Sequence, residues 1–73
     1  MRTVVVTAIG SFSADIVIKK CRENGMRVIG CDVYPGEWIA DAGNVDAFYQ
    51  VPYASDTDHY IETMLSICRK EGA

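Results

Sequence analysis

The reading turns on Thr3-Val4-Val5-Val6-Thr7-Ala8-Ile9-Gly10. This is an uncharged, β-branched run ended by a glycine. A continuous apolar run, rather than strict alternation, predicts a strand buried on both faces, here about 3–9. Working outward, Ser11-Phe12-Ser13 leads into a helical pattern over about 12–24. Ala14, Val17, Ile18 and Cys21 fall at i, i+3, i+4 and i+7, one face of a helix. Ser11 or Ser13 is placed to cap its start, Lys19, Lys20 and Arg22 suit the negative end of its dipole, and Asn24-Gly25 supplies the stop. Arg27 to Val33 reads as the second strand, about 27–33, closed by Tyr34-Pro35-Gly36. A strand, a helix and a strand with short connections make a right-handed crossover and a parallel pair.

Downstream, Glu37 to Ala42 predicts a short helix, about 37–42, broken at Gly43-Asn44. Phe48-Tyr49-Gln50-Val51 predicts a third strand within about 47–51, stopped by Pro52. Ser55 is expected to cap a second long helix, about 56–71. That helix carries Asp56 and Asp58 in its first turn, Arg69 and Lys70 in its last, and an apolar stripe of Ile61, Met64, Leu65 and Cys68. Gly72 is the expected terminator. The fold class is therefore α/β: a Rossmann-like, three-layer parallel sheet forming one domain over 1–73. In doubly wound sheets the first strand is central. Its far side here faces water, a second copy or further sequence, and the expectation is an N-terminal fragment of a longer protein.

Composition narrows the function. Among 73 residues, seven Lys+Arg against ten Asp+Glu give a net charge of −3, with 49% hydrophobic and 23% charged residues. The apolar fraction is too high for disorder. The acidic balance argues against nucleic acid, which wants a basic stripe, and there is no polybasic patch for an anionic membrane. Cys21, Cys31 and Cys68 are odd in number and widely spaced, without CxxC, and read as apolar thiols of a reducing, cytoplasmic compartment. The first apolar run is too short to cross a bilayer, which takes roughly 20 residues.

Two positions bear on ligand binding. Gly10, Ser11 and Ser13 lie between the first strand and first helix, where backbone N–H groups and hydroxyls meet anions. Only one glycine of GxGxxG is present, and bulky Phe12 crowds the approach, so a dinucleotide fingerprint is poor. A glycine-requiring turn with a serine cap and a phosphate or substrate contact both remain open. Asp32 ends the second strand 22 positions beyond Gly10. It reads either as a ribose or substrate ligand outside the strand ends, or as an acceptor that fixes the Tyr34-Pro35 turn. Tyr34 and Trp38 are expected to pack the loop over the sheet edge. His59, the only histidine, reads as a solvated helix residue beside Asp58. Asp41, Asp46, Asp56 and Asp58 read as surface acids, and no metal-ligand spacing or catalytic triad is seen.

Taken in order, Val5 to Gly10, Ile29 to Pro35 and Ala47-Phe48-Tyr49-Gln50-Val51-Pro52 resemble the N-terminal pre-ATP-grasp domain of carbamoyl-phosphate synthase large-subunit-like proteins and related carboxylate-amine ligases of the ATP-grasp superfamily. The resemblance covers nearly the whole chain. It implies a Rossmann-like domain preceding ATP-binding lobes, in an enzyme that converts a carboxylate to an acyl phosphate with ATP and magnesium before joining it to an amine. The residues holding ATP and metal belong to those later domains. No catalytic residue and no cofactor is therefore expected in 1–73, with ATP and Mg expected for the full-length protein. The resemblance carries over Gly10, Ser11, Ser13 and Asp32 as a substrate-side edge. It implies the remaining ATP-grasp domains and a small-molecule carboxylate as partners. Two alternatives stand beside it: an NAD(P)-binding Rossmann module, and an interaction domain forming a homodimer through its open sheet edge.

Overall fold

The computed structural model describes residues 2–73, without the side chains of residues 12, 40 and 41. The expected crowding by Phe12 and the surface role of Asp41 lie outside what is described. The elements run β1 (Thr3–Val6), α1 (Phe12–Glu23), β2 (Arg27–Asp32), two 3₁₀ turns (Gly36–Trp38 and Ala40–Asn44), β3 (Ala47–Gln50) and α2 (Thr57–Glu71). The sheet is fully parallel in the order β1-β2-β3, with Val5 beside Ile29 and Gly30 beside Phe48. This is the expected α/β architecture of parallel strands and crossover helices.

The layers follow from strand alternation. Val4, Val6, Val28 and Phe48 turn to one face, where they pack with Ile9, Ala14, Ile18, Cys21 and Ile39. Val5, Ile29, Cys31, Ala47 and Tyr49 turn to the other, against Tyr60, Met64 and Ile67 of α2. One helix therefore covers each face. On β2, Val28, Ile29 and Cys31 are fully buried, as a central parallel strand should be. Gly30 is the gap in that strand. A Cβ there would sit 2.9 Å from Cδ1 of Ile9 and 3.0 and 3.1 Å from the two methyls of Val45. Its missing side chain is the space those two residues fill.

Several boundaries differ from the sequence-based expectation. β1 stops at Val6 rather than near residue 9, because Ala8 takes a left-handed backbone (φ 53°) that breaks the extended run. The break drops Ile9 fully into the core beneath α1, and its N–H donates to the Cys31 carbonyl at 3.3 Å. The short helix expected at 37–42 is instead two 3₁₀ turns. Ile39 is extended between them (φ −119°, ψ 117°) so that its side chain reaches the core. Asp56, not Ser55, occupies the N-cap of α2, and no side chain caps either long helix. Gly25 and Gly72 do end the helices with positive φ.

The helix stripes are also wider than the sheet they meet. α2 presents Tyr60, Met64 and Ile67 inward, while Ile61 and Leu65 are about half exposed. On α1, Ala14, Ile18 and Cys21 face the sheet and Val17 is 46% exposed. Where several apolar residues share a helix, those directly over the strands are buried and the flanking ones are not. Among the described residues, no helix is long and apolar enough to cross a membrane.

Candidate functional site

Parallel strands bring their C-terminal ends to one edge of the sheet, and open α/β sheets bind ligands there. At that edge the loop after β1 and the loop after β2 are tied by one residue. Asp32 closes β2, is only 8% exposed, and directs both carboxylate oxygens at backbone amides. The Gly10 N–H donates to its Oδ2 at 3.0 Å, and the Tyr34 N–H donates to Oδ1 at 3.2 Å. These charge-assisted bonds are stronger than neutral ones and leave neither loop free to swing. A Cβ on Gly10 would lie 3.2 Å from the same Oδ2, so the loop approaches as closely as a bare backbone allows. Of the two sequence readings of Asp32, the geometry supplies the turn-fixing one directly. Asp32 also lines the larger of two hollows at this edge.

Ser11 and Ser13 stand at the start of α1 with their hydroxyl oxygens 3.5 Å apart, both exposed. Ser11 occupies the N-cap position of α1, as expected, but no side chain makes a capping hydrogen bond there. The four residues singled out from the sequence thus come together as two touching pairs, Gly10 with Asp32 and Ser11 with Ser13, on one edge.

Two hollows meet at Ala8 and Ser11. The larger, about 570 Å³, is lined by Ala8, Gly10, Asp32, Tyr34, Trp38 and Ile39 among others. The smaller, about 390 Å³, runs along β1 to Ser13 and Val17. Sequence reasoning missed the part played by Ala8, whose left-handed backbone turns the first loop; nothing in an alanine signals it. It also placed Tyr34 and Trp38 against the sheet edge. Instead the rings stack on each other, centroids 6.2 Å apart and planes 28° from parallel, and stay 50% and 72% exposed. They form an aromatic wall on one side of the larger hollow.

A second polar cluster pins the opposite end of the sheet. Glu71 accepts hydrogen bonds from the Tyr49 hydroxyl and from Arg27 Nη2, the latter at 2.5 Å. The Tyr49 hydrogen bond, then that of Arg27, holds the Glu71 carboxyl below its usual range, and the same bond to Glu71 raises the Tyr49 phenol. Beneath α2, burial foremost pushes the Cys31 thiol up to about 11, with Cys68 adding to it. All three cysteines are free. His59 sits exposed on α2, its Nδ1 3.4 Å from Asp56 Oδ2. Among the described residues, no three of His, Cys, Asp and Glu come together in a way that could hold a metal ion.

Compared with protein-family models, with curated proteins and with solved structures, the chain matches none.

Proposed function

We infer that this chain is the substrate-side, N-terminal domain of an ATP-dependent carboxylate-amine ligase of the ATP-grasp kind. Its own task is to hold and orient a small carboxylate, not to turn it over. The observation that carries this reading is the cleft at the C-terminal ends of β1 and β2, with both loops locked by Asp32. A cleft with pinned loops presents fixed contacts, which is what orienting a reactant requires.

Within that cleft the chain supplies distinct contacts. The exposed hydroxyls of Ser11 and Ser13, beside an uncapped helix start, offer donors to a carboxylate. The Tyr34–Trp38 wall offers a flat apolar face to the rest of the molecule. The carboxylate of Asp32 is committed to the Gly10 and Tyr34 amides, from which it accepts. In the ligase reading, ATP and magnesium supply activation of the carboxylate as an acyl phosphate. The magnesium belongs to the ATP-binding lobes in that reading, and no step is routed through it here. Three free cysteines suit a cytoplasmic setting.

Binding is tested by titrating the chain with aspartate, glutamate and succinate, with NADH as comparator, while recording amide shifts and Trp38 emission. Saturable shifts at Ser11, Ser13 and Tyr34 with a carboxylate support the reading. No response there to any carboxylate, or saturable micromolar binding of NADH, counts against it. The ligase assignment is tested separately by reading the gene onward from Ala73. ATP-binding lobes within roughly 200 residues support it, and their absence refutes it.

A further inference from the structure

The two edges of the sheet differ in chemistry. Beside β3, α2 presents His59, Glu62, Ser66 and Lys70, with the Lys70 ammonium 5.7 Å above the Tyr49 ring. Beside the same edge, α1 presents Arg22, which donates to the Asn44 carbonyl and lies 3.5 Å from Asp46. Charges of this kind protect a strand edge from pairing.

Strand β1 itself carries none of them. Thr3 to Gly10 carries no charge or proline, and β1 runs extended from Thr3 to Val6 before the left-handed Ala8. Its flanks expose apolar side chains: Val17 of α1 lies along the hollow beside β1, which Ser11 and Ser13 also line. On α2, the 100° step per residue puts Ile61 and Leu65 across the helix from the β3-side group. All three are about half exposed.

Among the described residues no strand pairs with the outer side of β1, and its sequence has two-fold symmetry. The Arg27 N–H donates to the Arg2 carbonyl at 2.8 Å, with Thr3 beside Arg27 in register. In a parallel ladder the backbone groups of Arg2, Val4 and Val6 then face β2, and those of Thr3 and Val5 face outward. The five residues Thr3-Val4-Val5-Val6-Thr7 read the same in both directions about Val5. An antiparallel pairing of two such strands sets Val5 against Val5, Val4 against Val6 and Thr3 against Thr7. Valine–valine and threonine–threonine pairs of this kind stabilise a ladder.

We propose that β1 pairs antiparallel with β1 of a second copy about a two-fold axis through Val5, making one six-stranded sheet. The axis stands perpendicular to the sheet, so α1 meets α1 on one face and α2 meets α2 on the other. The exposed Val17, Ile61 and Leu65 are covered by their own equivalents. An isologous contact of this kind closes at two copies. The chain measures 33 × 26 × 18 Å, so its smallest side projects on the order of 500 Å², and even complete coverage of two such sides would bury no more than about 1,000 Å², the lower bound for specific association. The dimer is therefore a weak one. The inference does not depend on the ligand-binding reading and competes with its longer-chain form for this edge, which a later strand of a doubly wound sheet would otherwise take.

Sedimentation of the 73-residue chain from about 10 µM to about 1 mM, with amide exchange at Val5 measured alongside, tests it. The expected result is a monomer–dimer equilibrium in which Val5 protection rises with concentration. Val5→Pro removes an outward N–H without touching the β1–β2 ladder, and Leu65→Glu charges an exposed flank. Each is expected to weaken dimerisation at least about tenfold. Leu65→Glu keeps the test decisive should Val5→Pro fail to fold, since Leu65 is half exposed. A monomer at every concentration overturns the proposal and leaves the edge to solvent or to a strand from further sequence. A dimer indifferent to Leu65→Glu, or growth past two copies, also overturns it.

Discussion

Gly30→Ala probes the packing that gives this small sheet its shape. The added methyl would lie 2.9 Å from Ile9 Cδ1 and within 3.1 Å of both Val45 methyls. Ile9 is fully buried. Its Cδ1 is the end of a flexible side chain, but Val45 is branched at Cβ and meets the new atom with two methyls, so rotation trades one clash for another. Overpacking of a core by one methyl costs about 1–3 kcal/mol. Replacing glycine recovers about 0.4–1 kcal/mol through the unfolded chain. The net expectation is a loss of about 1–2 kcal/mol, against a total stability of about 4–11 kcal/mol for a domain of this length. At about 4–8 °C per kcal/mol for a domain of this size, Tm falls by about 5–15 °C. Thermal unfolding followed by far-UV circular dichroism reads this directly. Adding Val45→Ala to Gly30→Ala makes room, so the double variant loses less than the sum of the singles. A neutral or stabilising Gly30→Ala, or strict additivity with Val45→Ala, would refute the reasoning.

Three further outcomes are expected. Asp32→Ala strips the acceptor from the Gly10 and Tyr34 amides, costs about 2–4 kcal/mol, and loosens both loops, seen as faster amide exchange at residues 10 and 34; unchanged exchange there would count against the lock. Glu71 has a carboxyl held below its ordinary value by Tyr49 and Arg27. Its contribution is present above the usual carboxylate pKa and is lost as pH falls through the lower folded value. Glu71→Gln should therefore flatten the acid limb of stability measured between about pH 5 and pH 2, and an unchanged limb would contradict the linkage. Cys31, fully buried with its thiol pushed up to about 11, should resist a thiol reagent at pH 8 until the chain unfolds. Equal labelling of all three cysteines in the native state would show that β2 is not covered by α2.

Much of this architecture is written in local pattern. The uncharged run at Thr3–Ile9 and the apolar Val28–Cys31 both demand burial on two faces, which only parallel strands between helices provide. The amphipathic spacing of α1 and α2 and the glycines at 25 and 72 set the helices. What the pattern does not carry is set by tertiary demands. Ala8 adopts a left-handed backbone because Ile9 must enter the core, and an alanine gives no sign of it. Ile39 splits an expected helix into two turns for the same reason. The apolar stripe of α2 includes Ile61 and Leu65 by spacing, yet the sheet reaches only Tyr60, Met64 and Ile67. That Gly10, Ser11, Ser13 and Asp32 gather at one sheet edge was legible because in a β-α-β unit the loop after the first strand and the end of the second lie side by side. The role of Asp32 was open to either reading, since a carboxylate after a strand serves equally well as ligand or as lock. The Tyr34–Trp38 stack depends on the geometry of a 3₁₀ turn, which no residue pair announces.

The account stands on three strands running the same way, and cross-strand nuclear Overhauser contacts test that most directly. Parallel register predicts contacts placing Val5 beside Ile29 and Gly30 beside Phe48, with the Asp46 amide bonded to the Val28 carbonyl. Close Hα–Hα pairs between β1 and β2 within one molecule, the mark of an antiparallel hairpin, would contradict it.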